Sequence, residues 1–205
     1  MVLNNLLVFE GVDGSGKSTQ IKKILSKLSK ESIDFSIYRE PGSEPLSERI
    51  REILLDKTID ITDEAEMMLF LAARAQLTKK HISKDLKKGK LVVCDRFIDS
   101  TLVYQGYGKV IDKELIRICN NFVTDSIYPK LVIIMDIDYE TFLERRRKDI
   151  DRMEANSKVF FKNVIDGYRE LSFCSPDKYI LIDGKLPVDE IHDLIWSKIL
   201  KIFNL

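Results

Sequence analysis

The sequence predicts an α/β fold in which a five-stranded parallel sheet is flanked by helices on both faces. Two observations indicate this fold. Short apolar segments alternate with helical patterns along the 205 residues, and a glycine-rich loop lies between the first apolar segment and the first helical pattern. Because strands that alternate with helices form parallel sheets, we expect ligands at the carboxyl ends of the strands.

The glycine-rich loop has the spacing of a phosphate-binding P-loop. It reads GVDGSGKS at 11–18, after the apolar segment LLVF at 6–9 and before a helical pattern that starts near Thr19. Backbone N–H groups and the helix dipole attract an anion at such a junction. We expect Lys17 to reach the β- and γ-phosphates of a nucleotide, and the Ser18 hydroxyl to ligate Mg²⁺.

The remaining elements follow from the spacing of apolar residues. Compact apolar segments predict strands at 33–38, 91–94, 131–135 and 179–182. Helical spacing predicts helices at 46–55, 62–88 and 112–123, and a C-terminal helix whose apolar stripe is Val188, Ile191, Leu194, Ile195 and Ile199. No linker or repeat interrupts the pattern, so we expect a single domain over 1–205.

Composition limits the class of protein. Lysine plus arginine and aspartate plus glutamate each number 33, so the net charge is zero and a nucleic-acid partner is not expected. The three cysteines lie far apart without metal-like spacing, which indicates reduced thiols in a cytoplasmic protein. No apolar segment approaches membrane-spanning length, and no signal peptide is recognisable, so we expect no membrane partner.

Arginines gather at the predicted strand ends. Arg39 ends the second strand and Arg96 follows the third, while Phe70 and Arg74 lie one turn apart on the long helix. A donor triphosphate needs one cationic pole, so further arginines indicate a second phosphate, and an aromatic ring beside them offers a platform for a base. The alternative is that Arg39 and Arg96 pair with neighbouring acids such as Glu40 and Asp95.

The ordered set of motifs resembles the thymidylate kinase family over nearly the whole chain. The matching segments are FEGVD at 9–13, REPG at 39–42, LAAR at 71–74, DRF at 95–97, STLVYQG at 100–106 and IDRME at 150–154, followed by the Phe160-Phe161 helix. The resemblance implies the P-loop NTPase-like fold of nucleoside monophosphate kinases. It also implies phosphoryl transfer from ATP to dTMP with Mg²⁺, giving dTDP and ADP for dTTP synthesis, in an enzyme that is often a homodimer.

The resemblance implies roles for the residues around the phosphates. Arg39 resembles the arginine that holds the dTMP phosphate, and Arg96 one that approaches the same phosphate. Asp13 resembles the acid that contacts the 3′-hydroxyl near the metal, for which Ser18 and Asp95 are the expected ligands. The expected ATP-binding residues are Gly11, Val12, Asp13, Gly14, Ser15, Gly16, Lys17, Ser18 and Thr19.

The resemblance also implies how the nucleoside is read. Phe70 looks like the ring that stacks on thymine, and Arg74 and Gln105 look like the donors that read its polar edge. Tyr104 resembles the tyrosine that packs under the deoxyribose and disfavours a 2′-hydroxyl. An aromatic face, a guanidinium and an amide suit these tasks chemically.

The basic segment RRRK at 145–148 resembles the lid of the bacterial type of the family. Some members carry an arginine inside the P-loop, but Gly14 occupies that position here. The charge of the transition state must then be met from elsewhere, and we expect a lid over about 145–153 with Arg146 and Arg147 as first candidates. The expected catalytic set is therefore Lys17, Arg39, Arg96, Arg146 and Arg147. The alternative is a solvated helix face, because acids are interleaved with this segment.

Two other functions remain open from the residues alone. A deoxynucleoside kinase of the same fold needs a carboxylate to deprotonate a 5′-hydroxyl, and Glu40 could serve. A GTPase-like switch or binding protein would need an Asn-Lys-x-Asp guanine-reading motif, which the sequence lacks.

Overall fold

The computed structural model describes residues 5–145 and 151–205, and their central element is a five-stranded sheet in which every pairing is parallel. The strand order is β2-β3-β1-β4-β5. The strands are β1 (Leu6–Glu10), β2 (Phe35–Arg39), β3 (Leu91–Asp95), β4 (Leu131–Asp136) and β5 (Tyr179–Asp183). The predicted fold class is confirmed, and each predicted strand agrees with an observed one to within two residues.

Helices cover both faces of this sheet. They are α1 (Lys17–Lys30), α2 (Pro45–Leu55), α3 (Asp63–Leu77), α4 (Ser83–Lys87), α5 (Ile98–Thr101), α6 (Lys113–Thr124), α7 (Tyr139–Arg145), α8 (Lys158–Cys174) and α9 (Val188–Phe203). Two π-helical segments, Thr78–Ile82 and Leu102–Gly108, continue α3 and α5. The helix predicted at 62–88 is thus interrupted by a π-helical turn, and the STLVYQG motif is helical, which its sequence did not indicate.

The core has two layers because successive residues of a strand face opposite sides of the sheet. Leu6, Val8 and Val92 belong to the layer that contains Phe160 and Phe161 of α8. The other layer joins the alternate strand residues to α1 and α9 through Ile21, Ile24, Leu28, Ile191, Ile195 and Ile199. Val188 and Leu194, predicted in the apolar stripe of the last helix, are exposed instead, because they lie off the line of buried residues that repeats every four positions.

This topology brings the functional loops to one edge. β1 pairs with β3, and β3 pairs with β2, so the loops after these three strands emerge side by side. They are the P-loop, the Asp95-Arg96-Phe97 turn and the Arg39-Glu40-Pro41 turn. In the described part of the chain, no helix combines the length and the apolar character needed to cross a membrane.

Candidate active site

The P-loop adopts the conformation that its glycines permit. Gly11, Gly14 and Gly16 have φ values of 131°, 74° and 100°, a region that other residues rarely enter. A Cβ on Gly11 would lie 2.5 Å from the Met135 carbonyl oxygen, so only glycine fits there. α1 begins at Lys17 without a side-chain cap at Gly16. Its first N–H groups are therefore available to an anion.

Lys17 is buried inside this loop. Its Nζ donates to the carbonyl oxygens of Gly11 at 2.8 Å and Val12 at 2.9 Å. Burial, followed by the charge of Arg96, lowers the pKa of Lys17 to about 8. Asp13 is its neighbour at 4.0 Å; burial would raise the pKa of that carboxyl, but Arg96 and Lys17 lower it to about 2. The loop therefore holds a charged acid and a lysine poised for a phosphate.

A cavity of about 90 Å³ opens beside the P-loop. We call it the acceptor cavity; its lining residues are Asp13, Glu40, Pro41, Arg51, Leu55, Phe70, Arg96, Ser100, Thr101, Tyr104, Gln105, Asp151 and Met153. Five residues expected at a nucleotide site thus meet in one place, namely Asp13, Phe70, Arg96, Tyr104 and Gln105. Arg39 and Arg74 do not line it.

Arg96 is the best-anchored cation of the acceptor cavity. Its Nη2 donates to Asp13 Oδ1 at 2.9 Å, and its guanidinium lies 5.3 Å from the centre of the Tyr104 ring. Arg96 has a φ of 71°, a strained value for a residue with a side chain. Such strain persists where the surrounding structure enforces it, commonly at functional sites. The alternative that Arg96 pairs with a neighbouring acid such as Asp95 is not what the structure shows, because its ion pair is with Asp13.

Arg39 was expected to hold a phosphate, but its guanidinium points to α2. Its Nη2 lies 2.7 Å and 2.9 Å from the two carboxylate oxygens of Glu48, and its side chain is 44% exposed. Arg51, which the sequence analysis missed, lines the acceptor cavity in its place and donates to the Pro41 carbonyl oxygen at 3.1 Å. The available signal was helical spacing, since Arg51 and Leu55 are four residues apart and both line the cavity.

Arg74 was expected to face a base, but it lies beneath the wall of the cavity. It is 2% exposed and donates to Glu40 Oε2 at 2.7 Å, Thr101 Oγ1 at 2.8 Å, Asn120 Oδ1 at 2.7 Å and the Phe97 carbonyl oxygen at 2.9 Å. Burial raises the pKa of Glu40, an effect that the charge of Arg74 opposes. Arg74 therefore orients two cavity residues, Glu40 and Thr101, rather than lining the cavity itself.

A second buried acid, Glu10, supports the turn that carries Arg96. It accepts from the backbone N–H groups of Phe97 at 2.8 Å and Ser100 at 3.2 Å. It also accepts from the Ser100 hydroxyl at 2.6 Å and the Tyr168 hydroxyl at 2.8 Å. Burial, and then the charge of Asp99, raises the pKa of Glu10 to about 7. The sequence signal for this role is an acid that directly follows the apolar residues Leu6 to Phe9.

The metal candidates and the lid are partly described. Ser18 lies at the start of α1 and Asp95 at the end of β3. Residues 5–145 and 151–205 contain no cluster of three metal-ligating side chains, and the expected lid residues Arg146 and Arg147 lie outside these ranges. Arg145 packs at the P-loop: a Cβ on Gly14 would lie 3.0 Å from Arg145 Cβ, and Arg145 Nη1 donates to the Gly184 carbonyl oxygen at 2.8 Å.

Comparisons with known proteins identify similar chains over nearly the full length. A family model described as thymidylate kinase matches residues 9–195. A thymidylate kinase of Kosmotoga olearia is 39% identical over 194 residues, which cover 94% of this chain and 93% of that protein. One from Caldanaerobacter subterraneus subsp. tengcongensis is 41% identical over 188 residues, covering 91% and 90%. A crystal structure of thymidylate kinase from Ehrlichia chaffeensis superposes with a TM-score of 0.78 at 32% identity, covering 96% of this chain and 97% of that one.

Proposed function

Because the chain belongs to the thymidylate kinase family and transfers a phosphoryl group from ATP to dTMP, giving dTDP and ADP, we propose that the acceptor cavity holds dTMP. The observation that carries this proposal is the meeting of Arg96, Phe70 and Tyr104 in one cavity beside Lys17. A cation for a phosphate, a ring for a base and a ring for a sugar are what a nucleoside monophosphate requires.

The donor phosphates belong at the P-loop. We assign residues 11–19 to ATP, because the N–H groups at the start of α1 have no side-chain cap. Lys17 Nζ now donates to two loop carbonyls, and phosphate oxygens would replace these as acceptors. Ser15 Oγ is buried without a hydrogen-bond partner among the described residues, which fits a loop built around a ligand.

The acceptor phosphate is assigned to Arg96 and Arg51, since both arginines line the cavity. Arg39 remains a candidate for the same phosphate, provided that its guanidinium leaves Glu48 when dTMP binds. Half-exposed ion pairs of this kind contribute little free energy. Breaking the Arg39–Glu48 pair therefore costs little when a phosphate dianion replaces the carboxylate. Because a phosphate oxygen is already ionised at pH 7, the acceptor needs no general base.

The nucleoside is assigned to the rest of the cavity. Phe70 and Asp13 both line the cavity, and we assign Phe70 to the face of thymine and Asp13 to a hydrogen bond accepted from the 3′-hydroxyl. Tyr104 is held by Arg96 on one side and by an edge contact with Phe160, at 6.0 Å between ring centres, on the other. We assign to this fixed ring the exclusion of a 2′-hydroxyl. Gln105 meets the polar edge of the base, with Arg74 supporting the cavity from below.

Mg²⁺ fits the residues at the P-loop. A kinase magnesium ion takes oxygen ligands from one or two protein side chains and otherwise from phosphates and water, so a cluster of three acids is not needed. Ser18 at the start of α1 and Asp95 at the end of β3, which pairs with β1, offer a hydroxyl and a carboxylate of that kind. The ion would neutralise charge on the donor phosphates, and the protein's own part is to hold these oxygens in place.

We further propose that residues 1–205 act as a single domain with a lid at about 145–153 that delivers the missing arginine, from Arg146 or Arg147. Arg145 occupies the space beside Gly14, and Arg152 donates to the Leu54 carbonyl oxygen at 2.8 Å, so both ends of this segment are anchored at the site. An arginine that bridges donor and acceptor phosphates in the transition state is worth roughly 10³–10⁵ in rate.

A homodimer is the proposed assembly, and its surface is the apolar face of α2, α3 and α6. Large apolar side chains are exposed on these helices, and Phe122 is 78% exposed; the others are Leu46, Ile53, Met68, Leu115 and Ile118. Patches of this kind mark interfaces. We expect a dimer mass in light scattering and a monomer mass for Phe122→Glu; a wild-type monomer at micromolar concentration would contradict the proposal.

The proposed place of action is the cytoplasm, where the product would enter dTTP synthesis. The three cysteines are free thiols, and Cys94 is fully buried, as expected in a reducing compartment.

The assignment of the acceptor cavity is tested by ADP release with MgATP and either dTMP or thymidine. We expect dTMP to react far better than thymidine, because the arginines of the cavity need a phosphate partner. Equal rates would instead favour the alternative function, a nucleoside kinase with Glu40 as general base.

A further inference from the structure

The amide of Gln105 is held from behind by a buried acid. Gln105 lines the acceptor cavity, and its Nε2 donates to Glu66 Oε1 at 2.9 Å. Glu66 is fully buried and does not line the cavity. Its other oxygen, Oε2, accepts from Arg152 Nη2 at 2.6 Å. Arg152 is in turn held in place by the hydrogen bond that its Nε donates to the Leu54 carbonyl oxygen.

This chain of contacts determines which end of the Gln105 amide faces Glu66. A guanidinium can only donate and an ionised carboxylate can only accept, so the acid must receive hydrogen bonds on both sides. The nitrogen end of the Gln105 amide is therefore turned to Glu66. The oxygen end, on the opposite side of the amide carbon, is left for a partner that donates.

We propose that Glu66 is a positioning residue for specificity: it holds the Gln105 amide so that the acceptor cavity selects a pyrimidine with a hydrogen on N3. This inference rests on the proposed contact between Gln105 and the base. Thymine N3–H can donate to Gln105 Oε1. Cytosine N3 is an acceptor, so two acceptors would face one another, and the mismatch leaves buried polar groups unpaired.

Glu66→Gln tests this reasoning with little change in shape. The new amide must keep its oxygen toward Arg152, which cannot accept, so its nitrogen faces Gln105. The Gln105 amide then turns and presents Nε2 to the cavity. We expect kcat/KM to fall about tenfold for dTMP and to rise about tenfold for dCMP, the values typical of one hydrogen bond exchanged in a buried site.

Two measurements separate this role from a merely structural one. dUMP carries the same N3–H as dTMP, so the dTMP to dUMP ratio should stay constant while the dTMP to dCMP ratio falls about 100-fold as the product of two tenfold changes. A loss for dTMP without any gain for dCMP, or unchanged values for both, would overturn the proposal. The thermal midpoint without ligand monitors folding in each variant.

Two further variants keep the test decisive. Gln105→Leu should raise the KM for dTMP without raising kcat/KM for dCMP. An unchanged KM for dTMP would refute the assignment of Gln105 to the base, and this result would count against the proposed function rather than against the role of Glu66. If Glu66→Gln does not fold, the pair Glu66→Met with Arg152→Met removes both charges together, a change that cores often tolerate. The freed amide should then accept dCMP better than the wild type does, and no gain would reject the inference.

Discussion

Replacing Arg74 by alanine should destabilise the whole chain. The guanidinium of Arg74 is buried and donates to Glu40, Thr101 and Asn120. Glu40 is 4% exposed, and within the described ranges its Oε1 has no hydrogen-bond partner. Removing the arginine leaves an uncompensated buried carboxylate, which costs about 3–5 kcal/mol. For a chain of this size, that loss corresponds to a fall of roughly 6–20 °C in Tm.

The measurement combines urea unfolding with steady-state kinetics. A cycle of Arg74→Met, Glu40→Gln and the double variant isolates the pair, and the double variant should recover most of the lost free energy of unfolding. Without Arg74, the pKa of Glu40 rises further, because burial is no longer opposed. The loss should therefore be larger at pH 8 than at pH 5.5, where the carboxyl can take up a proton.

Steady-state kinetics show whether Arg74 positions residues of the acceptor cavity or only stabilises the fold. Glu40 and Thr101 line the acceptor cavity, so Arg74→Ala should raise the KM for dTMP more than the KM for ATP. Two results would refute the reasoning: a loss of less than about 1 kcal/mol, in the range of an ordinary surface substitution, or a KM increase confined to ATP.

Four further predictions concern the catalytic loop, the sugar, the lid and a buried acid. Lys17→Ala should nearly abolish turnover while circular dichroism stays normal; a near-normal rate would contradict the P-loop assignment. Tyr104→Ala should lower the kcat/KM ratio of dTMP over ribothymidine monophosphate, and a constant ratio would assign sugar selection elsewhere. Alanine at Arg146 or Arg147 should cause a large loss in kcat with little change in dTMP binding; near wild-type kcat in both would remove these two arginines from catalysis. Folding raises the pKa of Glu10 from 4.5 to about 7, so its stabilising term is lost as pH rises through that window, by at most about 1.4 kcal/mol per pH unit. The Tm advantage of the wild type over Glu10→Gln should therefore shrink between pH 5 and pH 7; a constant gap would show that Glu10 does not titrate there.

The strands and most helices could be predicted because their signals are local. Leu91 to Cys94 is apolar on both faces, as a central parallel strand requires, and Ile191, Ile195 and Ile199 repeat with helical spacing. The π-helical turns were not predictable in this way. The segments Thr78–Ile82 and Leu102–Gly108 contain no proline, and neither begins with glycine, so their sequences carry no local signal of the change.

The arginines were correctly expected at the carboxyl edge of the sheet, but their directions were not. Phe70 and Arg74 share a helix face as predicted, yet Phe70 reaches the cavity while Arg74 turns beneath it toward Glu40. Arg39 pairs with Glu48 on α2 instead of lining the cavity, and Arg51, for which no role was predicted, lines it. A direction of this kind is decided by partners distant in sequence, so spacing alone cannot supply it.

Buried acids form the support of the acceptor cavity. Glu10, Glu40 and Glu66 are each less than 5% exposed. Glu10 accepts a hydrogen bond from Ser100 and Glu66 accepts one from Gln105, and both donors line the cavity. Glu40 accepts a hydrogen bond from Arg74, which lies beneath the cavity. Apolar residues of similar volume would often stabilise such positions equally well. What an apolar residue cannot do is fix the direction of a hydroxyl, a guanidinium or an amide. The orientation of Ser100 and Gln105 at the cavity, and of Arg74 beneath it, therefore follows from these three buried acids. If the residues that line the cavity bind the acceptor as proposed, in the ground state and the transition state alike, loss of these acids should alter acceptor specificity and KM more than kcat.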